Sequence, residues 1–119
     1  MSNRMAMAVL NDVATEELAH LEMVSTIVYQ LTRDLSMEEI EKSGFGPYYI
    51  DHTVGIWPQA AGGVPFNACE FQSKGDPITD LFEDLAAEQK ARATYDNILR
   101  VVRDIPEIAD PIRFLRARE

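Results

Sequence analysis

The chain has 119 residues, a formal net charge of −9 and 46% hydrophobic residues. That length is read as one domain over residues 1–119, with enough apolar content for a core. The acidity argues against nucleic acid or an anionic membrane as partner, since both are held by clustered Lys and Arg.

No apolar run approaches the roughly 18 residues of a membrane-spanning helix. No basic start leads into an apolar stretch, so no secretion signal is expected. Cys69 is the only cysteine. It allows no intrachain disulfide, which suits a reducing, cytoplasmic compartment, and it reads as a small buried hydrophobe.

From about Asn3 to about Leu31 the pattern predicts one amphipathic helix about 40 Å long, capped by Ser2 or Asn3. Its apolar stripe is Leu10, Val13, Leu21, Val24, Ile27, Val28 and Leu31. At ~100° per residue, Glu17 and His20 fall in the middle of that stripe. Ser36 with Glu39 three residues on is a capping box for a short helix over Met37–Lys42, ended by Gly44. Residues 44–76 lose all period. Glycines and prolines punctuate them, and Tyr48, Tyr49, Ile56, Trp57, Phe66 and Phe71 are scattered through. A loop this long needs a role in a compact domain. A packed crossover between the helices of a ferritin-like bundle supplies one.

Asp76-Pro77 then places a capping residue before a proline at the first helical position. The second long helix runs from there to about Val102, with an inner stripe of Leu81, Leu85, Ala91, Tyr95, Ile98, Leu99 and Val102. Glu88 lies on the centre line of that stripe, flanked by Asp84 and Arg92. Asp110-Pro111 repeats the start signal, so a last helix is predicted over Ile112–Glu119. The expected fold class is all-α, a partial ferritin-like helix bundle. Its parts are two long helices of antiparallel type, a long crossover loop and the start of a last helix.

A carboxylate and an imidazole on a buried stripe must be paired or bound, because burying either charge alone costs several kcal/mol. A hydrogen-bonded core pair is one reading of Glu17 and His20. Glu88, alone on the stripe of a second helix, shifts the balance toward a metal. The spacing Glu17-x-x-His20 is that of carboxylate-bridged di-metal bundles, and its oxygen and nitrogen donors suit manganese or iron. Asp84 is a secondary candidate ligand. Tyr95 either packs or hydrogen-bonds a ligand carboxylate, and Arg92 is expected to pair with Asp84 or Glu88. His52 reads as a solvated loop histidine, and Arg113, Arg116 and Arg118 as a solvated face pairing with acidic neighbours. No Ser/His/Asp set, phosphate loop or dinucleotide fingerprint is present.

Five stretches carry a resemblance to a known family. They are Asp12-Val-Ala-Thr-Glu-Glu-Leu-Ala-His-Leu-Glu22, Gly63-Val-Pro-Phe66, Gln72-Ser-Lys-Gly-Asp-Pro77, Asp84-Leu-Ala-Ala-Glu-Gln-Lys-Ala-Arg92 and Phe114-Leu-Arg-Ala-Arg-Glu119. In this order they resemble the manganese catalases. Gly46-Pro-Tyr-Tyr-Ile-Asp-His52 and the Gln72 to Pro77 stretch resemble in particular the family's spore-coat branch. Ala117 stands where that branch usually has an acidic residue.

The resemblance implies a ferritin-like four-helix bundle with a dinuclear manganese cofactor, manganese ahead of iron, and hydrogen peroxide as substrate, converted to water and oxygen. It implies Glu17, His20 and Glu88 as metal ligands and Glu119 as the catalytic carboxylate that handles protons. It also implies a glutamate ligand upstream of Met1 and a histidine three residues beyond Glu119, so the chain is expected to be the middle of a longer protein. The alternative function is a structural spore-coat protein of the same fold, partnered by other coat proteins and located in the coat. Two copies would together offer two Glu17-x-x-His20 motifs and two Glu88 side chains, so a homo-oligomer is expected.

Overall fold

A computed structural model describes residues 3–44 and 64–119. Among them the regular elements are four α-helices and one 3₁₀ turn, in the order α1 (Arg4–Thr32), α2 (Met37–Ser43), the turn Ala68–Glu70, α3 (Pro77–Val102) and α4 (Pro106–Arg118). The fold is all-α.

Local chemistry accounts for most of the helix ends. The Asn3 side-chain oxygen accepts from the Ala6 amide at 3.1 Å and caps α1. Both halves of the Ser36–Glu39 capping box form at the start of α2, and Gly44 ends it at φ 77°, a left-handed conformation that glycine adopts without cost. Glu38 and Glu39 lie in the first turn of α2 and Lys42 in its last, each complementing the helix dipole. At the start of α3 the Asp76 carboxylate accepts from the Ile78 amide and the Thr79 hydroxyl, both at 3.1 Å. The Asp80 carboxylate fixes the preceding turn by accepting from the Ser73 hydroxyl and the Lys74 and Gly75 amides.

The last helix departs from expectation. It begins at Pro106, six residues before the predicted Ile112, and Pro111 lies inside it. Pro111 has no N–H to give the Glu107 carbonyl, so it interrupts the ladder without ending the helix. Asp110 serves Arg113 as an ion-pair partner one turn on, not as a cap. Burial holds the helix through the interruption: Ala109, Ile112 and Leu115 form one buried row along it.

Residues up to Arg33 and from Leu81 onward form one compact unit, and Asp34–Asp80 another. In the first unit α4 packs against α1. Two ion pairs tie the last turn of α4 to its neighbours, Arg116 to Asp96 on α3 and Arg118 to Glu16 on α1. The buried residues are Ala109, Ile112, Leu115 and His20. Most of the expected stripe of α1 stays uncovered, with Leu21, Val28 and Leu31 each more than half exposed. On α3, Ile78, Phe82 and Leu85 are likewise exposed.

In the second unit Ile40 is buried, and the rings of Phe66 and Phe71 meet edge to face at 5.4 Å. Cys69 lies on the 3₁₀ turn and is exposed, contrary to the buried hydrophobe expected, because the three residues of that turn all face solvent. His52 and Trp57, with most of the crossover, lie outside the described residues.

Candidate metal centre

Of the residues of α1, His20 alone is buried, at 4% exposure. It sits one turn after Glu16 and Glu17, so the helical repeat brings both carboxylates back to the ring. Glu17 Oε1 lies 3.0 Å from His20 Nδ1, and Glu16 Oε1 lies 3.5 Å from Nε2. The third acid arrives from the far end of the chain. The buried row of α4 runs Ala109, Ile112, Leu115, and Glu119 follows one turn later. Its side chain is 3% exposed, with Oε1 3.8 Å from His20 Nδ1.

One ligand atom from each of Glu17, His20 and Glu119 falls within 4.8 Å of the others. Among the described residues neither nitrogen of His20 finds a hydrogen-bond partner, although both are buried. An unmade bond at a buried polar atom costs about 1–3 kcal/mol, and two on one ring call for a partner. A cation among two carboxylates and an imidazole is a fitting one. The oxygen-rich donor set with one nitrogen suits manganese or iron better than a soft-metal site.

Glu88, half-buried on α3, lies near this group through Glu119, whose carboxyl it helps to raise. Burial, then Glu88, then the charges of Glu17 and Glu16 push the Glu119 carboxyl up to about 7. Two neighbouring acids cannot both ionise cheaply, which keeps the Glu119 carboxyl high. Tyr95 is pushed up by burial and by the charges of Glu119, Glu17 and Glu88. It therefore lies near the same acidic group, two turns from Glu88 on α3.

Glu16 is fastened from outside the cluster. The Arg118 guanidinium grips it by both oxygens, Nε donating to Oε1 and Nη2 donating to Oε2 at 2.8 Å. That grip holds the Glu16 carboxyl below its ordinary range, and His20 adds to the effect. On the other side of α4, Arg116 donates to Asp96, which also accepts from Arg92 at 2.9 Å. Asp96 is lowered accordingly, first by Arg116. The two arginines brace the last turn of α4 between α1 and α3, and so place Glu119.

Of the residues singled out from sequence, Glu17, His20 and Glu119 come together, and Glu88 joins through Glu119. Asp84 is exposed and stands outside the donor group. Arg92 pairs with Gln89 and Asp96, not with Asp84 or Glu88. The sequence reading did not single out Glu16, whose place one turn before His20 was the available signal. Arg113, Arg116 and Arg118 pair with acidic neighbours as expected, with Asp110, Asp96 and Glu16.

The family model for manganese containing catalase matches residues 2–119. Protein CotJC of Bacillus subtilis (strain 168) is 50% identical over 110 residues, covering 92% of this chain and 58% of that protein. A manganese catalase of Bacillus subtilis is 29% identical over 122 residues, covering 92% of this chain and 44% of that protein. A probable manganese catalase of Clostridium acetobutylicum is 28% identical over 117 residues, covering 91% and 48%. The chain thus spans about half the length of the relatives it matches. No solved structure matches it.

Proposed function

The chain belongs to the manganese-containing catalase family, and from that footing we propose that it holds manganese and disproportionates hydrogen peroxide to water and oxygen. The observation that carries the proposal is the buried His20 ring, with both nitrogens lacking hydrogen bonds and carboxylate oxygens of Glu17 and Glu119 beside it. Glu17, His20 and Glu119 are the residues that would hold the metal, with Glu88 joining them from α3. A dinuclear centre is the form the family resemblance implies, and manganese is preferred to iron on the same ground.

Bound manganese supplies the redox change by which one peroxide is oxidised and another reduced. The protein's own residues do the rest. Glu17 and Glu119 offset the charge of a cation, and His20 offers a neutral nitrogen. In the metal-free chain burial and the neighbouring acids push the Glu119 carboxyl up to about 7, and a carboxylate beside the metal suits a group that takes a proton from peroxide and returns it.

The test is oxygen release from peroxide by the 119-residue chain, with and without added manganese. Release that depends on manganese and disappears in Glu17→Gln and His20→Ala is expected. Manganese-independent release, or release unaffected by either change, counts against the proposal. A second reading is a structural spore-coat protein of the same fold without turnover, associated with other coat proteins. The coat-branch resemblance of Gly46 to His52 and Gln72 to Pro77 favours it. Manganese binding with no oxygen release would support that reading. Under either reading we propose a homo-oligomer, in which two copies pool their Glu17-x-x-His20 motifs and Glu88 side chains. Sizing by light scattering with and without manganese decides that point.

A further inference from the structure

Helix α1 has two apolar faces, and α4 covers one of them. On that side Glu16 and His20 meet the last turn of α4, and Met23 and Ile27 line a cavity with Glu107 and Pro111. The other face stays open. Met7, Leu21, Val28 and Leu31 are each more than half exposed there, and Leu10 and Val24 are exposed with them. A contiguous apolar strip of this kind marks an interaction surface.

The open face is more regular than an amphipathic helix needs to be. Met7, Ala14, Leu21 and Val28 recur every seven residues, and so do Leu10, Glu17, Val24 and Leu31. The two sets interleave at spacings of three and four, the seam of a coiled coil sustained over the length of α1. Glu17 is its one charged member. A single polar residue in such a seam selects register and direction at a cost in stability.

Charge decides what fits there. With a net charge of −9, most of the surface repels a second copy. The positions flanking the seam on the side away from α4 are Asn11, Leu18, Ser25 and Thr32, all uncharged. Parallel pairing of two copies would set Glu17 against Glu17. Antiparallel pairing about a two-fold axis at Ala19 sets Met7 against Leu31, Leu10 against Val28, Ala14 against Val24, and Glu17 against Leu21. That register overlaps nearly the whole of Arg4–Thr32.

We infer that the open face of α1 is the docking surface for a second copy of this chain, the two α1 helices pairing antiparallel along the seven-residue seam. This deepens the homo-oligomer reading and rests on it. Glu17 belongs to both the seam and the candidate centre, and it is about half exposed. The second copy therefore closes the side on which that centre is open.

The experiment is sedimentation velocity of the 119-residue chain over a range of concentrations, after chelator treatment and again with manganese. The unaltered chelator-treated chain should be a dimer that dissociates on dilution. Leu10→Glu and Val28→Glu should each raise its dissociation constant about 100-fold or more, since each buries two unpaired carboxylates in an apolar seam. Both positions are exposed in the single chain, so the protomer fold tolerates the changes, and circular dichroism checks each variant. Joining Leu10→Lys to Val28→Glu sets opposite charges against each other across the antiparallel seam and should recover the dimer. A parallel seam would set like charges together. Val101→Glu, at a more exposed position on α3, should change nothing. A dimer that survives both single variants, or a double variant that stays monomeric, overturns the inference. So does a chain that associates only with manganese, which leaves the homo-oligomer reading standing. A monomer under both conditions sinks that reading as well and leaves the open face to another occupant, such as a further helix of a longer chain. The oxygen-release assay decides the manganese reading separately.

Discussion

Replacing Glu119 with glutamine removes the buried ionisable group and keeps an amide of the same shape. The Glu119 carboxyl is pushed from an ordinary 4.5 to about 7 in the folded chain. Each pKa unit is worth about 1.4 kcal/mol, so the whole shift sets a ceiling of about 3 kcal/mol. Glu88 beside it is one cause of the shift and part of that energy belongs to their coupling, so a realistic contribution is about 1–3 kcal/mol. The sign follows from proton counting. Between about pH 4.5 and 7 the folded chain keeps a proton that the unfolded chain has released. Stability from this group is therefore complete below about 4.5 and is lost as pH rises through 7. Glu16, Glu39, Asp80 and Asp96 are shifted the other way, so their contributions fade only as pH falls through the acid range.

The assay is urea unfolding of the chelator-treated chain at a series of pH values. The unaltered chain should lose stability from the acid side toward neutrality, and Glu119→Gln should flatten that fall. Added manganese should also flatten it, because a cation replaces the proton as the partner of the carboxylate. A fall of the same size in Glu119→Gln refutes the argument, since the titrating group would then lie elsewhere.

Manganese at 100 times its dissociation constant should stabilise the folded chain by about 2.7 kcal/mol, and His20→Ala should abolish the resulting rise in melting temperature. Leu115 is fully buried, so Leu115→Ala should cost about 2–5 kcal/mol in urea unfolding; a loss under about 1 kcal/mol would mean that the α4 row is not a core. Arg116→Ala removes a partly exposed ion pair and should cost far less than Leu115→Ala in the same assay. Pro111→Ala restores an amide donor to the Glu107 carbonyl inside α4 and should stabilise the chain by about 1 kcal/mol or more; a lower melting temperature in the variant would count against that account of the helix.

Helix starts were legible wherever the chemistry was local. Asn3, the Ser36–Glu39 box and Asp76-Pro77 each act within three residues, and a sequence window contains all the atoms involved. The start of α4 was not legible. Ile105 before Pro106 makes no side-chain cap, whereas Asp110-Pro111 displays a start signal that the structure does not use. What carries the helix past Pro111 is the burial of Ala109, Ile112 and Leu115, and burial depends on what lies opposite.

Periodicity likewise showed which side of α1 is apolar but not how much of it would be covered. His20 is enclosed, while Leu21, its neighbour in sequence, stays mostly exposed. The pairing of Glu17 with His20 was readable because one helical turn joins them. The grip of Arg118 on Glu16 spans 102 positions, and the influence of Glu88 on Glu119 joins α3 to the end of α4. Neither leaves a trace in local spacing. Short-range bonds depend on neighbours along the chain, which any reading of the residues contains. Long-range charge pairing and desolvation depend on which helices meet, and that is known only once the chain has folded.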